Sequence, residues 1–133
     1  RVVSDIGFPL KELFIWGDDV EYTYRAKKNG YEIYLLYSAQ IIHKDSGYGF
    51  KKNKIDDKNA WKLYYSYRNK VYVCGIYKDY VSALYWLMKG LFSFFKSKNT
   101  KVYAYKLKGG IDGLKMLVRK WLNNPSRQTS HYK

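Results

Sequence analysis

Positive charge divides this chain in two, and that division constrains its architecture more than any other feature. Residues 1–50 hold six Lys and Arg against seven Asp and Glu, a balance of −1. Residues 51–133 hold 19 against 4, a balance of +15. The first part is electrically free to build a chemical site. The second is drawn to polyanions, either nucleic acid or the anionic face of a membrane. Aromatics make up 20% of the 133 residues, with Tyr 16 among them, which excludes an intrinsically disordered chain. The single cysteine, Cys74, excludes a disulfide scaffold and a cysteine-based zinc site. The chain opens on Arg1 with no signal-peptide pattern, so the expectation is a piece of a longer intracellular protein.

The first part alternates turn, helix and strand signals. Gly7 and Pro9 mark a turn, and Leu13 to Trp16 is a short apolar run closed by Gly17. Asp18-Asp19-Val20-Glu21 reads as a helix start, with Asp18 as cap and Glu21 reaching back as in a capping box. That helix is expected to run to about Asn29 and stop at Gly30. The Ile, Leu and Tyr content of Tyr31 to His43 predicts two short strands, roughly Glu32–Leu36 and Gln40–His43, followed by a polar loop from Lys44 to Asp57. The pattern predicts an α/β first part.

The second part reads as helical. Ala60 to about Val73 carries Trp61, Tyr64, Tyr65 and Tyr67 with Arg68 and Lys70. In Asp79 to Lys96, the polar residues Ser82, Lys89, Ser93 and Lys96 fall in one narrow helical stripe and the rest is apolar or Gly. Eighteen residues reach only about 27 Å, with Lys89 in the middle. The segment is therefore expected to lie in a membrane interface or pack in a helical layer, not to span. Lys98 to Lys108 leans to helix, and Gly110 to Leu122 is amphipathic up to Asn123-Asn124-Pro125. The tail 126–133 is expected to be disordered.

Three acids within four positions, Asp18, Asp19 and Glu21, are the candidates for chemistry. The bland reading is helix capping; the sharper one has one acid capping while its neighbour points into a cleft as a general base. His43, the only histidine before His131 in the tail, precedes the polar loop and lacks a second metal ligand at convincing spacing. No phosphate loop, His-Glu-x-x-His or nucleophile elbow is present.

Ile6-Gly7-Phe8-Pro9, the run from Glu12 through Trp16-Gly17-Asp18-Asp19-Val20-Glu21 and Arg25 to Gly30-Tyr31, and Ala39-Gln40-Ile41-Ile42-His43 resemble the second half of a family 2 glycosyltransferase catalytic domain. The similar branch is the galactofuranosyltransferase and rhamnosyltransferase-like enzymes of bacterial surface polysaccharides. Tyr64-Tyr65-Ser66-Tyr67-Arg68-Asn69 resembles that branch's Tyr-Tyr-x-x-Arg-Asn helix, and Gly110-Ile111-Asp112-Gly113-Leu114 its Gly-x-x-Asp-Gly segment.

The resemblance implies a fold and a set of roles. Residues 1–57 would be the acceptor-side, C-terminal part of a GT-A (Rossmann-like) domain. Residues 58–125 would be a basic, aromatic helical region associated with the cytoplasmic face of the cell membrane. Asp19 would be the catalytic base of an inverting transfer, Asp18 would bind the acceptor, Trp16 would stack on the acceptor sugar or equally serve as a core aromatic, and His43 would bind Mn²⁺ or Mg²⁺ at the diphosphate leaving group. Arg68 would meet phosphate or anionic lipid, or serve only the surface. The nucleotide-sugar donor would be held by a preceding half with an Asp-x-Asp motif. Without that half the chain is expected to be inactive, its bare faces exposed or covered by another copy. The partners would be the donor, a glycan or lipid-linked acceptor and an anionic membrane. A basic aromatic nucleic-acid-binding module is the alternative, but Asp-Asp-x-Glu has no role there and no nucleic-acid motif is present.

Overall fold

The computed structural model describes residues 1–40, 59–96 and 99–123. The ordered elements are α1 (Val2–Ile6), a 3-10 turn at Lys11–Leu13, α2 (Asp18–Lys28), α3 (Trp61–Ile76), α4 (Tyr80–Leu91) running into a 3-10 turn at Phe92–Lys96, and α5 (Thr100–Leu122). α3 is the centre. It packs along α5 and beside α4, and α4 also leans on α5.

Two rows of residues make that frame. On α3, Leu63, Tyr67, Val71 and Gly75 are buried at spacings of four, an unbroken helical stripe. On α5 the matching positions are Val102, Gly109, Gly110 and Gly113. A Cβ at Gly109 would stand 2.3 Å from the Tyr64 carbonyl oxygen, and one at Gly113 2.3 Å from that of Arg68. The two helices therefore touch backbone to backbone, which no larger residue at either site permits. Gly75 repeats the device from the α3 side, where a Cβ would stand 2.3 Å from Leu117 Cδ2. Apolar packing completes the contact through Ala60, Leu63, Val102 and Tyr105.

Each helix end has a local cause. The Asp79 carboxylate accepts from the Ser82 N–H and starts α4. Asn99 accepts from the Lys101 and Val102 N–H groups and starts α5. That cap merges the two expected segments, Lys98–Lys108 and Gly110–Leu122, into one helix. α2 ends at Asn29 as its sequence predicts, with Gly30 at φ 84°.

The α/β expectation is overturned. No strand forms among the described residues, so a Rossmann-like sheet is absent from them. Tyr31–Gln40 carries no regular structure beyond a turn, and Ile33 to Tyr37 are all exposed. A run of that kind is suited to a strand covered on both faces, but it can be one only beside another strand. None of the other described segments offers an edge. The second expected strand, Gln40–His43, falls beyond residue 40, so His43, the polar loop and the 126–133 tail lie outside the described residues.

α4 is packed by its small residues. Only Ala83 and Gly90 are buried on it, and in the following turn Ser93 is buried, donating to the Gly90 carbonyl at 2.8 Å. Tyr80, Val81, Leu84, Tyr85, Leu91, Phe92 and Phe95 face outward. No helix among the described residues is long and apolar enough to cross a membrane.

Candidate acceptor site

The backbone before the two aspartates is unusual. Phe14 sits at φ 60°, ψ −59°, and the Ile15 N–H donates to the Leu13 carbonyl at 2.7 Å, a γ-turn of the rare positive-φ kind. Trp16 follows at φ 63° and Gly17 at φ 96°. Two non-glycine residues in the left-handed region within three positions cost of order 1–3 kcal/mol each. Something outside the loop must hold it.

Two adjacent residues of α3 do so. Asn69 is 1% exposed, and its amide nitrogen donates to the carbonyls of Leu13 (2.8 Å), Ile15 (2.9 Å) and Trp16 (2.7 Å). An NH₂ has two hydrogens, so three acceptors crowd around one amide and fix the curl of the loop. Its carbonyl oxygen accepts from Arg68 Nε at 2.9 Å, which sets which way the amide faces. Arg68 Nη2 donates to the Leu13 carbonyl at 3.0 Å and to that of Glu12. The guanidinium lies 4.7 Å from the Tyr65 ring centre, and Tyr65 packs on Phe14 with ring centres 5.1 Å apart. Arg68 thus grips the loop. The Gly113 contact presses on the backbone of this same Arg68.

Glu21 anchors the other side. It is 1% exposed, and Arg25 meets it as a fork, Nε to Oε1 and Nη2 to Oε2, both at 3.0 Å. The Tyr77 hydroxyl donates to Oε1 at 2.6 Å. Burial and the Glu21 carboxylate push the Tyr77 phenol well above its ordinary pKa. Arg25 also donates to the Ile6 and Phe8 carbonyls, which ties α1 and its turn to α2. A buried carboxylate needs this degree of pairing to be tolerated. The expected capping box is therefore absent. Gly17 is the N-cap, no side chain caps α2, and Glu21 turns inward to Arg25 and Tyr77. At the start of the loop, Glu12 accepts from the Tyr72 hydroxyl at 3.4 Å, and burial with that carboxylate pushes Tyr72 up to about 12.

What remains free is the turn itself. Asp19 is exposed, and its Oδ1 accepts only from the Val20 N–H, at 2.8 Å. Asp18 is half-buried, and Trp16 is 44% exposed. The three lie on four consecutive residues at the positive end of α2, where carboxylates are favoured. One cavity, about 490 Å³, is lined by Gly75, Ile76, Tyr80, Leu117 and Trp121 among others, and another, about 360 Å³, by Glu12, Tyr72 and Arg119 among others. Neither is lined by Asp18 or Asp19. The described residues also gather no group of three metal-ligating side chains, so they do not fit a Mn²⁺ or Mg²⁺ site by themselves.

Sequence reasoning placed Asp18, Asp19 and Trp16 together; it met Asn69 only as the end of the Tyr-Tyr-x-x-Arg-Asn resemblance and gave it no role. The signal was an asparagine within an aromatic helix, where its polar side chain disfavours the fold unless something nearby needs it.

Comparison with known proteins adds a relationship at this point. The chain is 34% identical over 79 residues to the galactofuranosyltransferase GlfT2 of Mycolicibacterium smegmatis, and to that of Mycobacterium tuberculosis to the same extent. The aligned part covers 59% of this chain but 11% of either relative, so the chain spans about a tenth of their length. No family model matches the chain. No solved structure matches it. The likeness relates the chain to a glycosyltransferase and goes no finer.

Proposed function

We propose that this chain carries the acceptor side of an inverting glycosyltransferase, with Asp19 as the base. A base for a sugar hydroxyl must reach the acceptor, keep a fixed direction and remain ionised. Asp19 stands on a turn whose backbone is locked by Asn69 and Arg68, and its exposed carboxylate is left with one local N–H partner. That locked turn is the single observation carrying the reading. Asp19 would take the proton from the attacking hydroxyl as its oxygen bonds to the anomeric carbon and the nucleoside diphosphate departs from the opposite face. Asp18 would hold a neighbouring hydroxyl, and Trp16 would lay its indole on the sugar ring.

The nucleotide-sugar site would come from a preceding half, which would also close a cleft over the acids and cover the bare run from Ile33 to Tyr37. His43 would bind the divalent cation together with ligands from that half. The relatives' name gives galactofuranosyl as the sugar they transfer, which makes a galactofuranosyl disaccharide, a product of such a transfer, the first probe of this site. Proton–nitrogen correlation spectra of the chain, titrated with a galactofuranosyl disaccharide, are expected to shift at Trp16 through Val20 and little elsewhere. Shifts confined to other residues, or none at millimolar sugar, would remove the acceptor role.

A further inference from the structure

The second exposed region is cationic as well as apolar. Lys70 of α3, Lys89 of α4 and Lys106 of α5 converge from three helices on one aromatic pair. Trp86 meets Tyr67 edge-on, with ring centres 5.8 Å apart. Lys70 Nζ lies 3.8 Å and Lys89 Nζ 4.5 Å from the centre of the same indole, and Lys106 Nζ lies 6.0 Å from that of Tyr67. Lys89 also donates to the Tyr85 hydroxyl at 3.2 Å. None of the three meets a carboxylate among the described residues, and the sequence has no Asp or Glu between Asp79 and Asp112. Partial burial, with Lys89 close by, holds Lys70 and Lys106 below their ordinary pKa. The rings alone offset part of the mutual repulsion.

Beside this cluster the outer face of α4 and its 3-10 turn is uncovered. Val81 is 82% and Phe95 80% exposed, with Tyr80, Leu84, Leu91 and Phe92 also facing outward. The helix fully buries only its small residues Ala83 and Gly90, keeps Trp86, Leu87 and Met88 half-buried, and leaves Val81, Leu84 and Leu91 facing out, an apolar stripe that an ordinary surface helix would fill with polar residues.

We propose that the outer face of α4 and its 3-10 turn docks on an anionic lipid bilayer, with Lys70, Lys89 and Lys106 holding headgroup phosphates and Val81, Leu84, Leu91 and Phe95 entering the acyl boundary. Charge decides the occupant. A second copy docked through the same face would set one lysine trio against another. Nucleic acid would satisfy the lysines and leave four large aliphatic and aromatic side chains bare. An anionic bilayer satisfies both, and Trp and Tyr favour its interface. The inference rests on this face alone and is independent of the role of Asp19.

Flotation of the whole chain with vesicles tests it. Binding is expected to phosphatidylcholine vesicles containing 30 mole per cent phosphatidylglycerol (a proportion of roughly the anionic content that such surface potentials require), weakly or not at all to pure phosphatidylcholine, and less as salt rises. Each lysine near such a surface contributes about fivefold in affinity. The triple variant Lys70→Gln, Lys89→Gln, Lys106→Gln should therefore bind at least about tenfold more weakly. Val81→Ser with Phe95→Ser alters only highly exposed positions and should weaken binding while helicity by circular dichroism is unchanged. Unchanged vesicle binding by both variants overturns the proposal. So does equal binding to neutral vesicles, or binding to a single-stranded oligonucleotide with none to lipid.

Discussion

Around Asp18 and Asp19, the neighbouring polar side chains are committed to backbone. Asn69 and Arg68 hold the carbonyls of Glu12 to Trp16, and Arg25 holds Glu21 together with the Ile6 and Phe8 carbonyls. On the α4 face the reverse holds: Lys70, Lys89 and Lys106 lean on rings and meet no acid among the described residues, while Val81 and Phe95 are largely exposed to solvent. Both regions hang on the α3–α5 contact. The first is a rigid mount that presents two side chains; the second is an unfinished surface that a partner would complete. Local order, more than exposure, separates a presented site from a docking surface.

The largest expected effect falls on the shared frame. Gly113→Leu or Gly109→Leu would force α5 off α3 and should abolish the cooperative thermal transition, a loss above about 4 kcal/mol. Gly113→Ala should lose about 1–3 kcal/mol, read as a lower midpoint in urea. An unchanged midpoint for Gly113→Ala would break the premise that both regions share one frame.

Asn69→Leu separates the two regions more finely. It leaves the Ile15 and Trp16 carbonyls without their donor, the Leu13 carbonyl keeping Arg68 and the Ile15 N–H, and each group so stranded costs about 1–3 kcal/mol. The amide resonances of Leu13 to Val20 should broaden or move and sugar-induced shifts vanish, while vesicle binding through α4 persists. Equal damage to both would show that the loop is not a separate mount.

Alkaline titration acts on the mount next. The Tyr72 phenol is pushed above its unfolded value, so its contribution is complete below about pH 10 and is lost as pH climbs toward about 12. Tyr77 is displaced in the same direction. Stability should fall through that window, and Tyr72→Phe should flatten the fall by an amount on the order of 1 kcal/mol. A steeper fall in the variant would contradict the assignment. Trp16→Ala is expected to have the smallest effect on the fold, within about 0.5 kcal/mol for an exposed residue. It should weaken sugar binding roughly fivefold, in keeping with the energies of ring contacts.

Helix α2 was legible at its end because Gly30 is a local signal, whereas the capping box read at its start from Asp18 and Glu21 did not form; α3 and the last turns of α5 were legible because their apolar residues recur at helical spacing. Glu32–Leu36 was misread because a strand depends on a neighbour that composition does not reveal. The positive φ of Phe14 and Trp16 was illegible for a related reason: it is imposed by Asn69, more than fifty residues along the chain. Gly109 and Gly113 were visible as residues, but their purpose was not, since it lies in the carbonyls of Tyr64 and Arg68. Asp18, Asp19 and Trp16 could be picked out together because they are contiguous, whereas the clamp that presents them is not.

The most direct test of the central claim is sugar transfer by the chain joined to a nucleotide-binding half, comparing wild type with Asp19→Asn. Loss of a general base predicts at least about a hundredfold fall in turnover, with donor binding unchanged and the bundle still folded. Near-normal turnover in Asp19→Asn would contradict it.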